Sequence, residues 1–228
     1  MKFFFTTLLL SFFLTGLISA QSGLSTRTAG QSINFASYNK TMDKYVVNDE
    51  IDGSRYLNDK FTVGTINPIE GSYPLRYNLI DDVIEAQISK DSIFIVDKKN
   101  TNYLIKIGNK IYKSFKHDNN YHYFNIITSN KNVNLLKRIT KKFVEEKKAI
   151  NSYSTGKKAY YSKAKVAYFI YLEKENKVVE LPTKNKKLIK LFSDNENEIK
   201  NYIKKEKLNL KDFSDSVKVI DYIDTLYQ

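Results

Sequence analysis

The 228-residue sequence contains no cysteine and no tryptophan, and only two histidines. Without cysteine, a disulfide-stapled scaffold, a Cys-ligated zinc or iron–sulfur site and catalysis by a thiolate are excluded. The 8 glycines and 3 prolines exclude a collagen-like or Gly/Pro-rich disordered chain. The aromatic share of 14% is enough to build a buried core, so we predict a globular fold.

Motifs of several enzyme classes are also missing. There is no Gly-x-Ser-x-Gly nucleophile elbow and no glycine-rich phosphate loop. A Ser-His-acid triad would need His117 or His122, whose spacing matches neither a helical zinc pair nor a pair on one strand face. We interpret both as structural or loop histidines. We therefore expect no metal, no cofactor and no catalytic residues, although enzymatic activity stays open.

The N-terminal segment has the three-part layout of a secretory signal peptide. Lys2 supplies a basic start, residues 3–17 form an apolar run, and the small residues Ser19 and Ala20 close it. The run is shorter than the ~20 residues that a membrane-spanning helix needs, although an uncleaved anchor is the alternative. We expect a soluble mature chain without a transmembrane segment, periplasmic or secreted after cleavage near Ala20.

The rest of the chain divides by composition and period. Residues 21–50 are expected to form a flexible leader, and residues 51–228 a single domain. Within it, residues 51–181 show short alternating apolar runs separated by Asn, Asp, Gly and Lys, which is typical of strands and turns. Residues 183–228 have apolar residues at helical spacing.

This division predicts an α+β fold. An antiparallel sheet, with strong curvature as an option, is expected from about residue 55 to residue 181, followed by a C-terminal helical segment. The helices are expected over residues 186–192, 195–205 and 212–226. Asn195 should cap the second of these helices.

Residues 75–80 and 83–88 form the clearest predicted hairpin, with Asp81-Asp82 as a two-residue turn. Pairing Tyr77 with Ala86 makes one face of the hairpin uniformly apolar. A slip of one residue would destroy this sorting, because side chains alternate between the two faces of a strand.

The same register predicts the surroundings of the polar residues. Arg76 is expected on the exposed face, diagonal to Glu85, where such a pair contributes roughly 0.2–1 kcal/mol. Asp81 and Asp82 are interpreted as solvated turn residues that point in different directions.

Three further segments carry strand signals. Residues 103–115 are expected to form a hairpin with a three-residue loop at 108–110, and residues 165–181 another. Residues 133–144 fit either a strand or a helix, and we favour a strand because β-branched residues are frequent there.

Positive charge is concentrated in the middle of the chain. Residues 101–190 carry 21 basic and 6 acidic residues, a net charge of +15, whereas residues 21–100 and 191–228 each have a net charge of −2. The basic residues of the whole chain are 33 Lys and only 4 Arg. Because nucleic-acid readers depend on Arg for bidentate contacts, nucleic acid is not expected as a partner.

The lysines allow two interpretations. They are either a solvated surface that reflects a lysine-rich composition, or a binding surface for an anionic envelope polymer or lipid headgroups. The candidate residues for such a surface lie together in the sequence: Lys137, Arg138, Lys141, Lys142, Lys147, Lys148, Lys157 and Lys158.

Several blocks of the sequence carry a family resemblance. They are residues 56–61 (YLNDKF), residues 75–78 (LRYN) with the acidic turn Asp81-Asp82, and residues 198–210 with the helix that follows. Over about residues 50–228 the chain resembles a family of signal-peptide-bearing exported proteins of Gram-negative bacteria that has no known molecular function. The resemblance implies export, strands before helices and an envelope location, and it implies no substrate.

These observations favour a non-catalytic binding or accessory module of the cell envelope. The alternatives are a hydrolase of an envelope polymer and a carrier that holds a hydrophobic ligand in a curved sheet. The hydrolase requires two carboxyl groups facing each other across a cleft. The carrier requires an apolar cavity on the order of several hundred Å³. The oligomeric state stays open.

We predict that the mature N-terminus is Gln21, within two residues, because small residues end the apolar run at that point. Intact-mass measurement of the exported protein checks this prediction. A mass that retains Met1 would contradict it.

Overall fold

The computed structural model describes residues 51–89, 92–148 and 155–227, and the backbone of Ala36–Ser37. The predicted signal peptide and most of the predicted leader lie outside these residues.

Thirteen strands precede the helices in the described part of the chain. They are β1 Ala36–Ser37, β2 Thr62–Asn67, β3 Ile69–Asn78, β4 Val83–Ser89, β5 Ser92–Ile95, β6 Leu104–Ile107, β7 Lys110–His117, β8 Asn120–Ile126, β9 Val133–Thr140, β10 Phe143–Val144, β11 Tyr160–Tyr161, β12 Lys165–Leu172 and β13 Lys177–Glu180. Eleven of them form one antiparallel sheet in the order β1-β5-β4-β3-β2-β6-β7-β8-β9-β12-β13, and β10 pairs with β11.

Three short helices follow: α1 Asn185–Leu191, α2 Glu196–Lys205 and α3 Phe213–Thr225. The predicted α+β class is therefore wrong, because the chain is mostly β. Each apolar stripe after Pro182 is only about two to four turns long. The helices consequently cover one end of the sheet, where they share a buried cluster with β9 and β12, and they do not form a layer comparable to the sheet.

The sheet is so strongly curved that strands distant in its order touch each other. Three strands separate β3 from β8, yet the rings of Tyr77 and Tyr123 lie 6.0 Å apart between centroids. In the other half, Val178 of β13 shares a cluster with Phe115 of β7 and Phe124 of β8. Neighbouring residues such as Tyr123 and Phe124 point to opposite faces of a strand. The two halves of the sheet therefore curl toward opposite faces, and each encloses its own cluster.

The β3–β4 hairpin has a different register from the predicted one. Tyr77 pairs with Ile84 instead of Ala86, which is a shift of two residues, so each side chain keeps its face. The turn consequently has four residues, Leu79 to Asp82. The Asn78 side chain explains this longer turn, because its Oδ1 accepts hydrogen bonds from the backbone N–H groups of Ile80 and Asp81.

The β6–β7 hairpin has a two-residue loop, Gly108-Asn109, so the predicted three-residue loop is wrong. Gly108 has a φ of 59°, a conformation that glycine adopts without steric cost. The favoured strand over residues 133–144 is confirmed, since β9 and β10 lie there. The predicted hairpin over residues 165–181 is present as β12 and β13.

Candidate functional site

The β3–β4 turn lies between two groups of polar side chains. Asp81 belongs to one, which we call the Arg76 cluster: Tyr56, Arg76, Asn78, Asp81 and Glu85. Asp82 belongs to the other, which we call the Asp82 cluster: Tyr77, Asp82, Lys98, His122 and Arg138. Both clusters contain charged groups that are largely withdrawn from solvent.

Arg76 and Glu85 face each other directly across β3 and β4. Both Nε and Nη2 of Arg76 donate to Glu85 Oε2, at 3.1 and 2.6 Å. The Glu85 side chain is 0% exposed and that of Arg76 is 14% exposed. The predicted exposed, diagonal pair is therefore wrong, because this is a buried and directly opposed ion pair.

The segment before β2 covers this pair. The Arg76 guanidinium lies 3.6 Å from the ring centroid of Tyr56 and 4.3 Å from that of Phe61. Its Nη1 donates to the backbone carbonyl of Asp59 at 3.1 Å. Residues 56–61 and 75–78 thus pack on each other around one guanidinium group. The contacts of these two segments give their residues a structural role, through packing and charge pairing within the fold.

The Asp82 carboxylate accepts hydrogen bonds from distant parts of the chain. Its Oδ1 accepts the hydroxyl of Tyr77 at 2.6 Å and the backbone N–H of Tyr123 at 3.3 Å. Its Oδ2 lies 2.7 Å from His122 Nδ1 and 3.5 Å from Arg138 Nη2. The Asp82 side chain is only 15% exposed, so its predicted solvated position at a turn is wrong.

Tyr77 acts as a hydrogen-bond donor in this cluster. Burial, together with the nearby negative charge of Asp82, raises its pKa well above the usual value. The phenol therefore stays protonated at neutral pH and can donate to the carboxylate. On the solvent side, Lys98 Nζ donates to the backbone carbonyl of Asp82 at 3.1 Å.

A cleft of about 500 Å³ adjoins the Asp82 cluster. Strand β5, the segment after it and the β7–β8 turn form its walls, which include Lys98, Lys99, Asn120 and His122. A second cavity, of about 260 Å³, includes Leu104, Ile111, Phe115 and Leu136.

The eight predicted binding residues do not all face solvent. Arg138 belongs to the Asp82 cluster. Lys141 Nζ donates to the backbone carbonyls of Ser54 and Tyr56, at 2.6 and 3.1 Å, and so holds the segment that covers Arg76. Lys137 is half-buried on β9. These three residues have partners or positions within the fold.

The other five predicted residues are exposed on a two-stranded ladder built around β10 and β11, which we call the basic arm: Lys142, Lys147, Lys148, Lys157 and Lys158. Lys147 and Lys157 are directly opposite, with reciprocal backbone hydrogen bonds of 2.8 Å. None of the ion pairs found among the described residues includes these five lysines.

The two histidines have different surroundings. The His117 ring packs against Phe169, with 5.2 Å between centroids, and its Nε2 lies 3.4 Å from the exposed carboxylate of Asp118. His122 contacts Asp82 and Arg138, which are 40 and 16 residues away in sequence. No sequence spacing signals such a contact. Among residues 51–89, 92–148 and 155–227, no group of three or more acidic or histidine side chains could hold a metal ion.

We expect Arg76→Ala to destabilise the protein by about 3–5 kcal/mol, because it leaves the Glu85 carboxylate buried without its cationic partner. Urea unfolding measures this loss. Lys116→Ala, an exposed change on β7, is the control and should cost less than about 0.5 kcal/mol.

The double variant Arg76→Met with Glu85→Leu identifies the cause. Replacing both charged residues by apolar ones of similar size should recover most of the stability, since no buried charge is left unpaired. If Arg76→Ala unfolds at the same urea concentration as Lys116→Ala, the ion pair is not buried in solution.

Within the described part of the chain, each helix is too short or too polar to span a membrane. Comparison of the sequence and structure with known protein families, curated proteins and solved structures gave no match.

Proposed function

We propose that this protein is an exported, non-catalytic binding module of the cell envelope, and that its basic arm binds an acidic envelope polymer. The proposal of export depends on the signal-peptide pattern of residues 1–20 and on the family resemblance. The proposal of binding depends on the basic arm. The observation that carries it is the direct pairing of Lys147 with Lys157.

Like charges directly opposite each other destabilise a strand pair. On the basic arm, Lys148 and Lys158 add two more positive charges close to this pair. A bound polyanion would offset the repulsion, because a group of like charges raises the local concentration of an oppositely charged partner. The exposed lysines therefore have a physical use when an anionic chain lies along the arm.

The carboxylates of the two clusters support a non-catalytic role. A glycosidase needs two carboxyl groups that face a substrate from two sides. Asp82 accepts hydrogen bonds from Tyr77 and Tyr123, and Glu85 is buried against Arg76. Asp81 Oδ2 accepts from Asn78 at 2.8 Å. These carboxylates serve internal contacts. The cavity that includes Phe115 is, at about 260 Å³, smaller than the roughly 300–1,000 Å³ of typical ligand sites. The cleft of about 500 Å³ is large enough, but its walls include the charged residues Asp97, Lys98 and Lys99, which disfavours a purely hydrophobic ligand.

We expect the purified protein to bind heparin at low ionic strength, and the quadruple Lys→Gln variant at 147, 148, 157 and 158 to bind at least about tenfold more weakly at 0.01 M salt. Binding should weaken steeply toward 0.15 M, as the screening length falls from ~30 Å to ~8 Å. Titration calorimetry at the two salt concentrations checks both effects.

The control is a variant with the same loss of charge at four exposed helix residues, Lys186, Lys187, Lys200 and Lys204. It should bind heparin like the unmodified protein. Equal weakening in both variants, or no binding at 0.01 M salt, would contradict the proposal. Vesicles of anionic lipid are the second probe, and binding to vesicles but not to heparin would contradict a polymer ligand.

A further inference from the structure

The cleft beside β8 has an excess of positive charge. Lys98, Lys99 and Arg138 lie in the cleft or directly behind it, against the two carboxylates of Asp82 and Asp97. With a neutral His122, this group carries a net charge of +1. Asp97 Oδ1 accepts the backbone N–H of Lys99 at 2.9 Å, whereas the Lys99 side chain is exposed and belongs to none of the ion pairs found in the described part of the chain.

His122 Nδ1 has two neighbours with opposite requirements. Asp82 Oδ2, at 2.7 Å, is a carboxylate oxygen and can only accept a hydrogen bond from Nδ1–H. Arg138 Nη2, also at 2.7 Å, can only donate, so it requires a bare Nδ1. A single ring nitrogen cannot satisfy both partners. The position of the ring proton therefore depends on which partner, Asp82 or Arg138, is left with more unsatisfied hydrogen-bonding groups when it loses its bond to Nδ1.

Arg138 loses more. The Asp82 carboxylate keeps the hydroxyl of Tyr77 and the backbone N–H of Tyr123 in any case. Arg138 Nε is buried with no partner among the described residues, and Nη2 has no acceptor there other than His122 Nδ1 and the more distant Asp82 Oδ2. The two hydrogens of Nη2 can serve Nδ1 and Oδ2 together. A bare Nδ1 thus leaves the fewest unsatisfied groups.

When Nδ1 accepts from Arg138, the ring carries its proton on Nε2. Nε2 makes no hydrogen bond to the described residues, and His122, whose side chain is 19% exposed, is one of the residues that line the cleft. We infer that the cleft is an oxyanion site, in which His122 Nε2–H donates to a single phosphate, sulfate or carboxylate group and Lys99 supplies the unpaired charge. Other elements than those of the basic arm form this site, so the inference does not depend on the proposed function.

The chain has only two histidines, so ¹⁵N NMR can observe His122 with His117 as an internal reference. The His117→Gln variant assigns the two rings. At neutral pH, His122 Nε2 should give the shift of a protonated nitrogen. Addition of sodium phosphate should move the His122 signals until they saturate and leave those of His117 in place. Sodium chloride at equal ionic strength should do neither.

Lys99→Gln should weaken the apparent phosphate affinity by up to about fivefold, the range of an exposed charge interaction. Lys200→Gln, which removes an exposed lysine on α2, is the control and should leave the affinity unchanged. A bare Nε2 in His122 would overturn the inference. So would equal shifts of both histidines, or signals of His122 that do not respond to phosphate.

Discussion

The carboxylate of Asp82 holds the curved sheet in its shape. It sits at the end of the β3–β4 turn and accepts hydrogen bonds from the hydroxyl of Tyr77 on β3 and from the backbone N–H of Tyr123 on β8. Three strands separate β3 from β8 in the order of the sheet. Because one carboxylate accepts hydrogen bonds from both β3 and β8, it opposes any flattening of the sheet that would move these two strands apart. Asp82 adopts a φ of 53°, which Asp tolerates better than most residues, so the turn presents this carboxylate at a small steric cost.

The partly buried arginines of the two clusters and the exposed lysines of the basic arm have different surroundings. Arg76 and Arg138, two of the 4 arginines, pair with Glu85 and Asp82 inside the fold, where a planar guanidinium serves several acceptors at once. The lysines of the basic arm have no such partners among the described residues. Arginine thus makes the ion pair of the fully buried Glu85, and lysine supplies the exposed charge of the arm, while Lys98 and Lys141 have partners within the fold. This division supports a ligand that is recognised by charge at the surface, while the buried pairs specify the register of the hairpin.

The spacing of apolar residues predicts where the strands and helices lie better than it predicts how the strands pair. Strands 165–172 and 177–180 and the helices after Pro182 follow from apolar spacing, which depends only on local sequence. The predicted register of β3–β4 is wrong by two residues. The apolar pattern cannot detect such a shift, because every side chain keeps its face and only the length of the turn changes. The cap of α2 illustrates the same limit. Asn195 makes no side-chain cap, whereas Asp212 accepts the N–H groups of Ser214 and Asp215 at the start of α3. The contact between Asp82 and His122 depends on the curl of the whole sheet and has no local signal.

The stability of Asp82→Asn tests the role of this carboxylate most directly. The amide keeps the size of the side chain and tolerates the same backbone conformation, but it removes the charge that Arg138 and Lys98 face. Asp118→Asn is the matched control, because Asp118 also has a positive φ, 49°, and its side chain is 85% exposed. Urea unfolding should show a loss of about 2–4 kcal/mol for Asp82→Asn and less than about 0.5 kcal/mol for Asp118→Asn. Equal unfolding midpoints for the two variants would contradict the claim that Asp82 holds the sheet in its curved form.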